Sequence, residues 1–172
     1  MPKKSVRENK NIYQLAREEA GMTRQKASDT IGFMSESVIE KIEYDQVKPV
    51  PDQVLAMANA YKKPELCNIY CSRECEIGRE YIPEVTISSL PQIVLHMLAS
   101  LNSLEKEKDR LIEITVDGEV SDEEMKDFAR IQHVVEHISL AADGMKLWLE
   151  QSIADGKVDR EALEKLMEQF KD

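Results

Sequence analysis

Gly21-Met-Thr-Arg-Gln-Lys-Ala-Ser-Asp-Thr-Ile-Gly-Phe-Met-Ser-Glu-Ser-Val-Ile-Glu-Lys-Ile-Glu43 reads as two short helices joined by a tight turn. Thr23 is placed to cap the first, because its hydroxyl can accept from a free N–H of the opening turn. Gly32-Phe33-Met34 supplies the turn, with a glycine where the backbone must take an angle other residues resist. Ser35 restarts a helix. Ile39 and Ile42, three apart, fall on one buried face, while Glu36, Ser37, Glu40 and Lys41 face out. A short second helix with polar residues outward is the geometry of a helix-turn-helix reader.

Working outward, Asn11 to Ala20 predicts a helix with Ile12, Leu15 and Ala16 inward and Gly21 as its stop. Beyond the pair, Val47-Lys-Pro-Val-Pro is an extended connector, since Pro49 and Pro51 disfavour helix just before them. Asp52 is expected to cap a further helix whose apolar face is Val54, Leu55, Ala58 and Tyr61. Lys62-Lys-Pro64 ends it.

These residues carry a resemblance. Leu15-Ala-Arg-Glu-Glu-Ala-Gly-Met-Thr, Ile39-Glu-Lys-Ile-Glu43 and Lys48-Pro49 followed by Asp52-Gln-Val-Leu resemble the Xre/Cro-type (lambda repressor-like) DNA-binding domain, over roughly residues 10–62. The turn is one residue longer than the family's usual one, and Ala27-Ser28 stands where the second helix has Leu-Ala. The resemblance implies a transcriptional regulator, and the run from Pro64 to Gly78 looks like a segment that follows this domain in some Firmicutes and phage relatives.

Charge bears on that implication. The chain carries −10 overall, but residues 1–64 hold 11 Lys and Arg against 9 Asp and Glu, a net +2, and the remainder is −12. A basic segment on an acidic body can still bind DNA, because salt confines its field to about 10 Å. The reader helix itself sets Glu36, Glu40 and Glu43 against Lys41 alone. Carboxylates are repelled by phosphates, and Glu reads well only a cytosine amino group. That charge motivates a rival reading: a protein-interaction module on a helix-turn-helix scaffold that no longer reads DNA.

Cys67, Cys71 and Cys75 follow a C-x3-C-x3-C spacing. On one continuous helix the first and third lie about 12 Å apart along the axis, too far to share a zinc at about 2.3 Å. Only a break near Ser72-Arg73 would gather them. Buried thiols, a metal site and a regulatory Cys71–Cys75 disulfide stay open. With no apolar leader after Met1-Pro-Lys-Lys, three cysteines suit a reducing cytoplasm. The basic lead-in over residues 1–9 reads as an untethered arm. No stretch suits a membrane span, Ile93 to Leu101 being too short.

Past an extended linker at Tyr81–Ile87, Ser89-Leu-Pro-Gln92 opens a long helix with Val94, Met97, Leu101, Leu104 and Leu111 in a 3-4 repeat, closed by Gly118. Ser121-Asp-Glu-Glu124 caps a second, carrying Met125, Phe128, Gln132, Val135, Ala142, Leu149 and Ile153. Asp155-Gly156 ends it, and Asp159 caps a last helix with Leu163, Leu166, Met167 and Phe170 on one face. Two such helices joined by a short turn form an antiparallel hairpin. Ile93, Leu98, Ile112, Ile131, Ile138 and Trp148 are left over, for a second copy to cover in coiled-coil fashion or for packing against the helix-turn-helix domain. His133-Val-Val-Glu-His137 matches the H-x-x-E-H zinc-peptidase pattern, but no third ligand or cleft accompanies it, and the match is read as chance. No phosphate-cradling glycine loop or activated nucleophile is present, so neither an enzyme nor a cofactor is expected.

The expected fold is all-α: a lambda repressor-like helix-turn-helix bundle over residues 1–63, a cysteine-containing joint over 64–87 and a helical hairpin for dimerisation over 88–172. The expected function is sequence-specific binding of double-stranded DNA as a homodimer. Arg24, Gln25 and Lys48 would meet phosphates and Ser35, Glu36, Ser37 and Val38 the base edges, with Lys41 on the same helix.

Overall fold

The structure, a computed structural model, describes residues 9–170; the arm read over residues 1–9 lies outside the described residues except for Asn9. Helices begin where a side chain accepts from an unsatisfied first-turn N–H. Asn11 Oδ1 accepts from the Gln14 N–H at 3.0 Å and opens α1 (Ile12–Glu19). Thr23 accepts from the Lys26 N–H at 3.1 Å at the start of α2 (Arg24–Ile31). Ser35 does the same for Val38 at 3.4 Å, opening α3 (Glu36–Glu43). Asp52, expected as a cap, instead lies within the first turn of α4 (Pro51–Tyr61). Pro51 leads that helix because it has no N–H to leave unpaired, and Gln53 reaches back to the Val50 N–H at 3.1 Å. Then come α5 (Glu65–Arg73), α6 (Glu76–Tyr81), α7 (Leu90–Ile114), α8 (Met125–Ala154) and α9 (Arg160–Met167). The protein is all-α among the described residues, a helix-turn-helix bundle followed by a long antiparallel hairpin. No helix among them is long and apolar enough to cross a membrane.

The chain divides into two compact units, with one boundary inside α8. The first comprises residues up to Glu84 together with those from Leu149. Its core is built from α1 to α5 around Ala27, Ile39, Ile42, Val54, Met57 and Tyr61, all essentially shielded from solvent. Two side-chain expectations change here. Leu15 and Leu55 are exposed, and Tyr13 and Met57 take the inward places. Tyr13 can go inside because its hydroxyl donates to Glu74 Oε1 at 2.7 Å. Burial, with that carboxylate beside it, pushes the phenol's pKa well above its ordinary value.

Leu66 seals the same core from α5, and Cys67 and Tyr70 pack behind it. The helix breaks after Arg73, and Cys75 then caps α6, its Sγ accepting from the Gly78 N–H at 3.5 Å. The two short helices touch so closely that a Cβ on Gly78 would lie 2.0 Å from the Cys71 carbonyl oxygen. Backbone cannot yield there. Gly78→Ala should therefore cost about 2–3 kcal/mol by overpacking, read as a lower urea midpoint; an unchanged midpoint would refute the contact. The chain after α6 lies back along α5, where Asn68 Nδ2 donates to the Pro83 carbonyl at 3.1 Å and Arg73 pairs with Glu84. From the end of α8, Gln151 Nε2 donates to the Lys62 carbonyl at 3.2 Å. Asp159 caps α9, accepting from the Ala162 N–H at 3.2 Å. Leu166, Met167 and Phe170, expected to pack, are exposed.

The second unit, Val85–Trp148, holds α7 and α8 as far as Trp148. Gln92 Oε1 accepts from the Ser89 N–H at 3.3 Å and hydroxyl at 2.8 Å to start α7. Glu124 Oε2 repeats the arrangement on Ser121 at 3.1 and 2.7 Å before α8. α7 ends at Ile114, earlier than expected; Gly118 serves the turn beyond it, at φ +78°. Three pairings fix an antiparallel register: Arg110 with Asp127 at 2.9 Å, Arg130 with Glu107 at 2.8 Å, and Gly144 against Ile93. The buried seam also differs from the expected one. Ile93, Ile114 and Ile131 are inside, whereas Val94, Leu101, Met125 and Val135 are exposed. Ile93 and Ile131, read as left over, are thus hairpin core; Leu98 and Ile112 remain outside.

Candidate nucleic-acid interface

The turn between α2 and α3 is pinned at both ends. Gly32 takes φ +83°, and the Ser28 hydroxyl donates to the Met34 carbonyl at 2.7 Å. Ala27 is fully buried against the neighbouring helices, and Ser28 beside it clasps the turn. The far end of α3 is tied to α1, where Asn11 Nδ2 donates to the Ile42 carbonyl at 2.7 Å and to Asp45 at 2.9 Å. Ile39 and Ile42 anchor the inner face as the i, i+3 spacing required.

Beneath this helix lies a charged core. Glu43 has no exposed surface and takes two donors from Arg17, including Nη2 to Oε2 at 2.9 Å. Arg17 is itself buried, and its remaining nitrogen donates to the Met22 carbonyl at 2.7 Å. Arg24 adds Nε to Glu43 at 2.8 Å and Nη1 to Glu40 at 2.8 Å, and its guanidinium lies 5.0 Å from the centre of the Tyr44 ring. Two of the three glutamates on α3 are therefore matched by arginines. Glu40 stays exposed although it is paired, and Glu36, at the helix's first turn, suits the positive end of the helix dipole there.

What remains on the outer surface is the polar side of α3. Ser35, Glu36, Ser37 and Lys41 are exposed, as are Gln25 on α2 and Lys48 in the connector. Val38 is half-buried against the core. Arg24, read from sequence as a phosphate contact, has its guanidinium engaged by Glu40 and Glu43 and sets the position of α3. Phe33 was not singled out from sequence, yet it stands 64% exposed on the turn just before Ser35. An apolar residue in the turn itself was the available signal. The cysteines lie away from this helix, on α5 and at the cap of α6, each half-buried. Burial and the neighbouring Cys71 push the Cys67 thiol's pKa upward. Among the described residues no group of three or more His, Cys, Asp and Glu side chains is arranged to hold a metal ion.

No curated protein and no solved structure matches the chain. Residues 14–66 match the family model described as Helix-turn-helix, which supports DNA-binding regulation as the general function of this segment.

Proposed function

We propose that the protein is a sequence-specific, DNA-binding transcriptional regulator of the Xre/Cro type, in the subgroup with a C-terminal helical extension, working in the cytoplasm as a homodimer. The observation that carries the reading is the exposed polar face of α3 on a helix whose inner side is locked by Ile39, Ile42 and the buried Arg17–Glu43 pair. A rigid short helix with small polar residues at its start suits a major groove. Ser35, Glu36 and Ser37 meet base edges, and Val38 meets a thymine methyl; Lys41, Lys48 and Gln25 lie along the phosphates, with the N-termini of α2 and α3 assisting. Arg24 acts by orienting α3. The charge argument for a non-binding interaction module loses two of its three glutamates to the arginines. No catalytic step and no cofactor belong to this function.

Pairing through the hairpin is supported by apolar residues that the hairpin leaves outside: Leu95, Leu98 and Leu101 on α7 and Val135 on α8. Two copies would then present two readers one helical turn apart on a near-palindrome.

The test is an anisotropy titration of the full chain on a selected duplex and on scrambled duplexes across salt. Specific binding should exceed non-specific binding by about 1,000-fold or more at physiological salt. Equal affinity at every salt would reject the proposal. Phe33→Ala should lower specific affinity about tenfold, by analogy with one lost thymine-type apolar contact, while leaving the urea midpoint unchanged because the ring is already exposed.

A further inference from the structure

The two histidines of His133-Val-Val-Glu-His137 were set aside as peptidase ligands, but their geometry bears on simpler chemistry. Four residues apart on α8, they share one face of the helix. Their Nε2 atoms are 3.2 Å apart, with ring centres at 4.5 Å and ring planes at 89°. The contact is a hydrogen bond between the two ring nitrogens, its donor set by the tautomer, so a bound ion takes the place of the shared proton. Two bonds of about 2.05 Å, the zinc–imidazole length, span such a gap at an angle of roughly 100°, close to tetrahedral. Both rings are exposed, so an ion reaches them without opening the hairpin. The neighbouring cations are occupied elsewhere: Arg130, one turn before His133, pairs with Glu107 and Asp127. Glu136 accepts from Gln132 at 3.4 Å and adds negative charge beside the pair.

We infer that His133 and His137 form a bidentate surface site for a divalent ion of the imidazole-preferring class, Zn2+, Ni2+ or Cu2+. The chain supplies two ligands, since no three-residue cluster is found among the described residues, and water completes the coordination. The ion bridges consecutive turns of α8 and so stabilises the helical state that brings the nitrogens together. This site is independent of the DNA-reading proposal.

The experiment uses the full chain labelled with 15N-histidine and titrated with Zn2+, reading the imidazole nitrogens by long-range NMR. Thiol binding leaves those resonances unmoved, which separates the site from Cys67, Cys71 and Cys75. Nε2 of His133 and His137 should shift together while His96 stays in place. His137→Gln should weaken the response of His133 about 100-fold, because the second ligand acts at high effective concentration once the first is bound. His133→Gln should do the same to His137, so failure of one variant to fold leaves the other informative. Unshifted imidazoles at saturating Zn2+, or a His133 response that survives His137→Gln, would overturn the assignment.

Discussion

Glu43→Ala should unfold much of the helix-turn-helix unit, lowering its stability by about 3–5 kcal/mol, the usual cost of leaving a buried charge without its partner. The reason lies in what the carboxylate receives. Arg17, 7% exposed, donates to it through two nitrogens, and Arg24 donates through a third. Removing the acceptor strands the Arg17 guanidinium in a site where water cannot replace it. A small helical bundle has only about 5–15 kcal/mol in total, so this loss is a large share. Urea unfolding followed by far-UV circular dichroism measures it. A loss below about 1 kcal/mol would place the pair among ordinary surface ion pairs and contradict the buried-network account.

The second large effect concerns binding. Lys41→Glu should reduce specific DNA affinity about 100-fold at fixed salt, since it deletes one attraction and adds one repulsion on the reader helix. The dependence of log affinity on log salt should fall by about one ion's worth. Stability should stay within about 0.5 kcal/mol of the parent, because Lys41 is exposed and outside the Arg17–Glu43–Arg24 network. Unchanged affinity would remove α3 from the interface.

Residues 21–43 were legible because every signal in them is local. Thr23, Gly32 and Ser35 act within three or four residues of themselves, and Ile39 and Ile42 announce their face by spacing. Glu43 was not legible. A carboxylate on a polar-looking helix reads as surface, and the arginine that makes it core lies 26 residues earlier. The same blindness made three outward glutamates look like an obstacle to DNA, when two of them answer to Arg17 and Arg24. The ion pairs of Arg24 were hidden for the matching reason: its partners are 16 and 19 residues away.

The hairpin shows a different limit. α7 begins Leu-Pro-Gln-Ile-Val-Leu-His-Met-Leu, with apolar residues on several faces at once, so periodicity alone permits more than one seam. Packing chose the one through Ile93, and the choice moved Val94 and Leu101 outside. The early end of α7 follows from turn chemistry. Thr115 donates its hydroxyl back to the Leu111 and Ile112 carbonyls, satisfying the last turn before Gly118 is reached. The cysteine segment was half legible: a break near Arg73 was recognised as the condition for gathering the thiols, and the helix does break there. The close approach of Gly78 to Cys71 that accompanies it depends on two helices meeting, which spacing cannot show.

Selection of duplexes by the full-length protein from a random double-stranded pool tests the outward face of α3 most directly. The account predicts enrichment of one near-palindromic motif, lost when the pool is presented to the Lys41→Glu protein. A pool that emerges with no enriched sequence, from a protein shown to be folded, would contradict it.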